Sequence, residues 1–501
     1  MSVSNSRQIK LGAILSYVSI FINIITGLLY TPWMIDSIGQ ANYGLYTLAI
    51  SVTSLFVFDF GLSAAVTRFI SKYLADNDQD SADKCLGSVY KLYLYIDIAF
   101  IILLTSIYFF IPQIYKNLTA DEVDRFKIVY AIVATYSVLS FPFIPVNGVL
   151  TAHEKFIPFK LCDIFHKLFI VITMSACLLL GYGLYALVLV NAISGLLTIS
   201  LKLFYIRNST PQKVDFRGGK SFEIKKILTF SGWVTIQSIA QRCIFNIAPS
   251  ILAMLSGSVE IAILGVAVTI EGYVYTFANA ISGMFLPRVS RVYSQGDGNI
   301  LPLMVRIGRI QMFLISFLVF ILICFGNEFI HLWLGRDFSL SYTCVVLLIL
   351  PSLLHLPQEI GILAIIALNK VKYQAIVYLF MAIINVILVF LFSPIYGAIG
   401  VCIAICISYI LRTVGLDIIM YKSVSINIFS FLKDVYLKLF VPLLISFIIG
   451  IVLNYAITGA GWALLFIKII IFSIGYALIM YKWGMNQSEK DFVVKLLKFK
   501  I

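Results

Sequence analysis

Apolar runs long enough to cross a lipid bilayer follow one another from one end of this 501-residue chain to the other. A hydrocarbon core about 30 Å thick takes about 20 residues of helix, and inside it only helices and closed barrels satisfy their own backbone hydrogen bonds. The runs lie at 11–34, 42–66, 87–111, 128–151, 158–181, 183–206, 227–253, 260–286, 307–327, 341–368, 373–393, 395–420, 435–456 and 461–482, which makes fourteen expected spans. A barrel would show strands of about ten residues alternating apolar and polar positions, and a run such as 376–392 has no such alternation. The charged fraction agrees: 12% of the residues are Asp, Glu, Lys or Arg, against about a quarter in soluble domains. With a mean hydropathy of +0.99, a water-soluble enzyme is excluded, and an all-α integral membrane protein is expected.

Charge sets the orientation. With a cytoplasmic N-terminus, 31 of the 37 basic residues fall in inner segments, counted together with the inner parts of the spans that border them, four in outer ones (Lys116, Arg125, Lys127 and Arg336), and Arg242 and Lys468 are assigned to the spans themselves. A wrong span count would scramble this alternation, so the pattern predicts fourteen spans with both ends inside. The net charge of +13 is spread over short loops on one side, which points to anionic membrane lipid as the partner and not to nucleic acid. Arg7 and Lys10 precede a first run without an A-x-A site, so that run is expected to stay in the protein as a span. The eight cysteines form no CxxC pair and read as buried structural thiols.

Weak internal matches suggest a duplication. Ser71-Lys72 and Asp78 recur as Ser290-Arg291 and Asp297, Lys155-Phe156 as Lys372-Tyr373, and Tyr182-Gly183 as Tyr396-Gly397, with offsets of 219, 217 and 214 residues. The expected plan is two six-helix lobes related by a pseudo-twofold along the membrane normal. They are an N-terminal lobe at 1–206 and a C-terminal lobe at 227–421, joined by a polar cytoplasmic linker at 207–226. Two extra C-terminal helices at 422–488 form an appendix, and a basic amphipathic tail at 489–501 is expected to lie at the membrane surface.

Ionisable residues inside spans are costly and mark pathways or counter-ion pairs. Arg242 falls near the middle of the seventh span and Glu271 at similar depth in the eighth. The expectation is a lumen-facing Arg242 that meets an anionic substrate, with Glu271 as its partner in the empty state, or else a structural pair locking two helices. Asp59, Asp97 and Glu359 are candidates for coupling a proton or Na⁺, with pairing to Arg68 or Lys91, or contact with water at the inner mouth, as the plainer role. Pro145 and Pro357 interrupt the fourth and tenth spans at comparable places and are gating candidates through the kinks they impose. Lys468 is expected to snorkel to the interface. The segment FRGGKSF has Val214 where a P-loop needs its first glycine, and no HExxH, G-x-S-x-G or aspartate-rich motif is present. No catalytic residue, metal or cofactor is expected.

Several stretches carry a family resemblance: YTPWMIDSIGQANYGLYTLAISV across the first outer turn, FDFGLSAAVTRFISKY closing the second span, and the inner turn TAHEKF. With the fourteen-span layout, the chain resembles the O-antigen or Wzx-type polysaccharide flippases of the multidrug/oligosaccharidyl-lipid/polysaccharide (MOP) exporter superfamily. That resemblance implies a MATE-like fold whose lobes enclose a cavity. It also implies alternating access on undecaprenyl-diphosphate-linked oligosaccharide in a bacterial inner membrane, in the service of surface polysaccharide or lipopolysaccharide synthesis, with a polysaccharide polymerase as a further partner. Lipid II flippases of the superfamily carry an arginine in their first span, and 11–34 has no basic residue. Drug exporters of the superfamily usually have twelve spans. The competing readings are a membrane-embedded polymerase or ligase and a MATE-type drug/cation antiporter.

Overall fold

A computed structural model describes residues 3–216, 221–282, 289, 292, 299–368 and 370–491. Four expected features lie outside these residues: the centre of the linker at 217–220, the matches at Ser290-Arg291 and Asp297, and the tail from 492 onward. All regular elements among the described residues are helical. Twelve helices are long and apolar enough to cross a membrane, so the chain is a multi-pass membrane protein. Its outer surface agrees: Ile172 is 68% exposed, Leu179 79% and Tyr455 80%, a cost in water but not in lipid.

Two places account for the difference between twelve helices and fourteen expected spans. The second span is two short helices, α2 (Gln40–Phe56) and α3 (Leu62–Ala75), separated by 57–61. The expected spans 373–393 and 395–420 are continuous in a 54-residue helix, Val371–Val424, whose backbone leaves helical geometry at Gly397 (φ 55°, ψ −132°). Straight, such a helix would be about 81 Å long, far more than one hydrocarbon core. At the kink the Ala398 N–H donates to the Glu260 carboxylate at 2.8 Å, so an acidic side chain caps the helix that resumes there.

The chain packs as two compact units, Met1–Gly265 with Tyr378–Val401, and Val266–Val377 with Cys402–Ile501. In the first, α1 (Val3–Ile38), α2 and α3 lead into α4 (Gln79–Ile114), α5 (Ala120–Ser140), α6 (Val146–Ala152), α7 (Phe156–Leu179) and α8 (Leu184–Ser209). Helices α9 (Ser221–Phe245), α10 (Ile247–Leu255) and the start of α11 (Ser258–Ser282) complete it, with the kinked part of the long helix. Helix α9 begins inside the segment expected as linker. Residues 210–216, which precede it, are pinned to Asp83, which accepts from the Gln212 side chain at 2.7 Å and the Lys213 N–H at 2.9 Å.

Helices α3 and α6 lie close because Gly148 carries no side chain: a Cβ there would come within 2.6 Å of the Ser63 carbonyl. Side-chain hydroxyls use the proximity. Ser63, Thr67 and Ser71, one turn apart, donate to the carbonyls of Ile144, Gly148 and Ala152 at 3.2, 3.1 and 3.5 Å. The α4–α5 turn is likewise tied to the α10–α11 region. The Tyr115 hydroxyl meets Ser250 at 2.9 Å, the Asn117 amide donates to the Met254 carbonyl, and the Ser258 hydroxyl donates to Glu122. Glu122 also closes a capping box with Thr119 at the start of α5.

The second unit is organised by α12 (Leu301–Leu334), against which pack α13 (Ser339–Ile349), α14 (Ser352–His355), α15 (Glu359–Ala367), α18 (Lys438–Ala456) and α19 (Trp462–Ile479). The long helix is α16, and Ile428–Leu432 is α17. Buried ion pairs fix the last two spans. Arg309 grips Glu489 with two donors, at 2.6 and 3.0 Å, and donates further to the carbonyls of Gly484 and Asp434. Lys468 does not snorkel: it is 3% exposed and donates to Glu328 at 2.6 Å. A carboxylate on α12 supplied at that depth what the interface was expected to supply.

Candidate functional site

The break in the second span is where charge and backbone meet. Ending α2 at Phe56 leaves its last carbonyls without intrahelical donors, and starting α3 at Leu62 leaves its first N–H groups without acceptors. Asp59 sits in the gap, and its Oδ1 accepts from the N–H of Leu62 at 2.9 Å and of Ser63 at 3.1 Å. The Tyr93 hydroxyl donates to the same oxygen at 3.1 Å. Asp59 is thus a cap on α3; a carboxylate suits the positive end of a helix.

Helix α9 serves the other side of the gap. Its Arg242 donates to the Ser54 carbonyl at 2.6 Å, one of the last carbonyls of α2, where a cation is favoured. The guanidinium lies 5.0 Å from the Phe58 ring centroid, within cation–π reach, and the charge of Asp59 acts on it. Two turns earlier, Thr235 donates to the Phe60 carbonyl at 2.7 Å. A half-buried arginine, a carboxylate and a stack of aromatic rings, Phe58 on Phe60 at 4.3 Å, therefore surround irregular backbone inside an apolar span. Such discontinuous helices present charges and carbonyls to polar substrates in transporters.

Arg242 belongs to the first unit and Glu271 to the second, where other ionisable groups accompany it. Glu271, 8% exposed, has Arg412 as the guanidinium whose charge acts on it, and the same arginine acts on Glu359 and His355. Arg412 stacks on Tyr409 at 4.3 Å, and Tyr409 in turn lies 5.3 Å from His355. Arg412 itself was missed as a site residue because it was counted with the inner loops. Helix α16 runs to Val424, so Arg412 sits about 18 Å from that helix end and is 4% exposed.

Asp97 is buried on α4, and its Oδ1 has no hydrogen-bond partner among the described residues. Both singled-out prolines occur at helix interruptions: Pro145 follows a 3-10 turn at Phe141–Phe143 and precedes α6, while Pro357 lies in the 3-10 turn Leu356–Gln358 between α14 and α15. Carbonyls at both interruptions take part in packing. Ile144 receives Ser63 as above, and the Pro357 carbonyl faces Gly308, where a Cβ would come within 2.8 Å. All eight cysteines are free thiols, six of them buried.

The profile of the polysaccharide biosynthesis protein family matches residues 9–293. No curated protein matches the sequence. Among solved structures, the lipid II flippase MurJ in an inward closed conformation aligns with a TM-score of 0.69 at 17% identity, over 94% of this chain and 97% of that one. An inward-facing multidrug resistance MATE family transporter of the MOP superfamily aligns at 0.68 and 14% identity, over 82% of this chain and 98% of its own. A MOP superfamily transporter from Pyrococcus furiosus aligns at 0.59 and 14%, over 83% and 95%. At these identities the structures establish the fold, while the profile spans more than half of the sequence. The chain belongs to the polysaccharide biosynthesis protein family and has the fold of the MOP superfamily transporters it aligns with.

Proposed function

We propose that this protein carries undecaprenyl-diphosphate-linked oligosaccharide from the inner to the outer leaflet of a bacterial cytoplasmic membrane by alternating access, supplying surface polysaccharide synthesis of the O-antigen or lipopolysaccharide type. In this reading the chain crosses the bilayer fourteen times with both ends cytoplasmic. The six-span halves 1–206 and 227–421 are the moving bodies, and 422–488 accompanies the second. It works as a transporter and not as an enzyme, and hands its cargo to a polymerase.

The observation that carries the reading is the broken second span, where Arg242, Asp59 and paired aromatic rings gather in the interior of an apolar segment. A glycan diphosphate cannot enter hydrocarbon unaided, because each unsatisfied polar group costs several kcal/mol. Arg242 gives one N–H to Ser54, and a guanidinium has five donors, so it can receive a phosphate without leaving its seat. Outward movement of two negative charges is driven by an inside-negative potential and releases roughly 4 to 5 kcal/mol per 100 mV. Glu271, Asp97 and Glu359 are the groups proposed to answer ion coupling, and the interruptions at Pro145 and Pro357 the places that flex.

The test is deletion of the gene followed by location of the lipid-linked intermediate, which should accumulate on the inner leaflet. Complementation with Arg242→Ala should leave protein abundance unchanged and fail to restore export. An intermediate that still reaches the outer leaflet in the deletion strain would sink the proposal. Transport driven by an imposed ion gradient with no glycolipid present would favour the drug/cation antiporter.

A further inference from the structure

Helices α7 and α8 each have two chemically distinct faces. At 100° per residue, the exposed Leu161, Phe165, Leu168, Ile172 and Leu179 fall on one face of α7, and Lys160, Asp163 and Lys167 on the opposite half. On α8 the exposed Leu189, Ile193, Leu197 and Phe204 share a face, and Ser194, Thr198 and Lys202 lie across from it. The two polar faces meet. Lys202 Nζ donates to Asp163 Oδ1 at 2.9 Å and to Asn147 Oδ1 at 3.0 Å, and Lys160 Nζ stands 3.6 Å from the other Asp163 oxygen. Both ammonium groups lie 4.8 Å from the Phe159 ring centroid. His166 adds its ring, with Nδ1 at 3.1 Å from the Ser194 hydroxyl and 3.0 Å from that of Thr198.

Among the described residues two lysines, Lys160 and Lys202, stand at the one carboxylate of Asp163, and its charge also acts on Lys167, one turn further along α7. A structural ion pair needs one cation per carboxylate; surplus positive charge on a span is costly unless an anion or water offsets it. The seam is open on its polar side: the Lys160 and Asp163 side chains are 28% and 31% exposed, although the lipid-facing residues are on the other side. Lys160 lies four residues from the start of α7 and Lys202 seven from the end of α8, about 6 and 10 Å of rise, so both stand toward one end of the α7–α8 pair.

We propose that this seam, with Lys160, Lys167 and Lys202 around Asp163, is a binding site for a diphosphate ester on a polyprenyl tail, where the cargo docks before it reaches Arg242. The assignment rests on the flippase reading. Lys202 stays anchored to Asp163 and Asn147 beneath Phe159, while Lys160 and Lys167 turn to the incoming phosphates, whose charge-assisted bonds are stronger than those of neutral groups.

The experiment uses the full-length protein in nanodiscs of phosphatidylcholine, titrated with undecaprenyl diphosphate in one arm and phosphatidylglycerol in the other. The double variant Lys160→Gln/Lys167→Gln spares the Lys202–Asp163 pair and should fold. It should bind undecaprenyl diphosphate about tenfold more weakly, equivalent to about 1.4 kcal/mol, with a shallower salt dependence. Phosphatidylglycerol binding should not change, and Lys160→Arg/Lys167→Arg should restore the diphosphate affinity. Unchanged diphosphate binding overturns the site, and an equal loss in both arms overturns it in favour of a general anionic headgroup site. Leaflet assays separate the two claims. If wild-type protein flips the glycolipid while the glutamine variant binds normally, the site falls and the function stands; lysine-dependent binding without translocation upholds the site and sinks the function.

Discussion

Arg242 and Arg412 both sit inside apolar helices of this protein, and their surroundings differ in kind. Arg242 is met by neutral backbone and a ring: the Ser54 carbonyl at a helix end and the face of Phe58, with Asp59 close enough for its charge to act. Arg412 is more deeply buried and works among ionisable groups, with Glu271, Glu359 and His355 feeling its charge and Tyr409 beneath it. A cation at the end of a broken helix can be lent to a passing anion, because carbonyls lose little when it turns away. A cation that balances buried carboxylates cannot be lent without stranding them. The contrast separates an arginine suited to handling cargo from one suited to holding a bundle together.

The sharpest way to break the contrast is Arg412→Met. It should destabilise the purified protein by roughly 1 to 2 kcal/mol, because it removes the stacking on Tyr409 and the positive charge that acts on Glu271 and Glu359, and adding Glu271→Gln should recover part of the melting temperature. A wild-type melting temperature in the single variant would mean that the carboxylates do not depend on this guanidinium. Arg242→Ala should cost a similar amount, about 1 to 2 kcal/mol for a lost hydrogen bond to a charged group, while export is lost; thermal unfolding beside a leaflet assay reads both. Asp59→Ala removes the cap of α3 and should cost about 1 kcal/mol, whereas Asp59→Asn, which keeps the accepting oxygen, should melt close to wild type.

The smallest effect is expected outside the spans. Burial holds the His153 imidazole below its ordinary value of 6.5, opposed by its hydrogen bond to Gln212. The unfolded chain therefore takes up a proton that the folded chain resists, and stability falls as the pH drops through about 6.5. Melting curves at about pH 7.5 and 5.5 should diverge less in His153→Gln than in wild type; equal divergence would exclude this histidine as a source of acid sensitivity.

Much of the scaffold could be read from residue order, because hydrocarbon imposes a length and a composition on each crossing that a run of side chains either meets or fails. Tyr182-Gly183 and Tyr396-Gly397, matched across the chain, both fall where one helix gives way to the next. The site was less legible. Asp59 and Arg242 were singled out because charge inside an apolar run is conspicuous, but their shared reason, a break at 57–61, was hidden inside a run that looked continuous. Arg412, Lys160, Lys167 and Lys202 stood close to span ends and were counted with the loops, so neither the carboxylate cluster nor the lysine seam was visible.

The sequence by itself determined that this is a helical membrane protein, which segments are apolar enough to cross, and which ionisable groups must find partners, since burial in lipid penalises each charge whatever its neighbours. Only the tertiary structure decided the partners. Pairing depends on the azimuth of each side chain about its helix and on where helices break, and one residue of offset turns a side chain by about 100°. Arg242 therefore meets Ser54, and Arg412 attends Glu271, because of rotation and packing that no count along the chain contains.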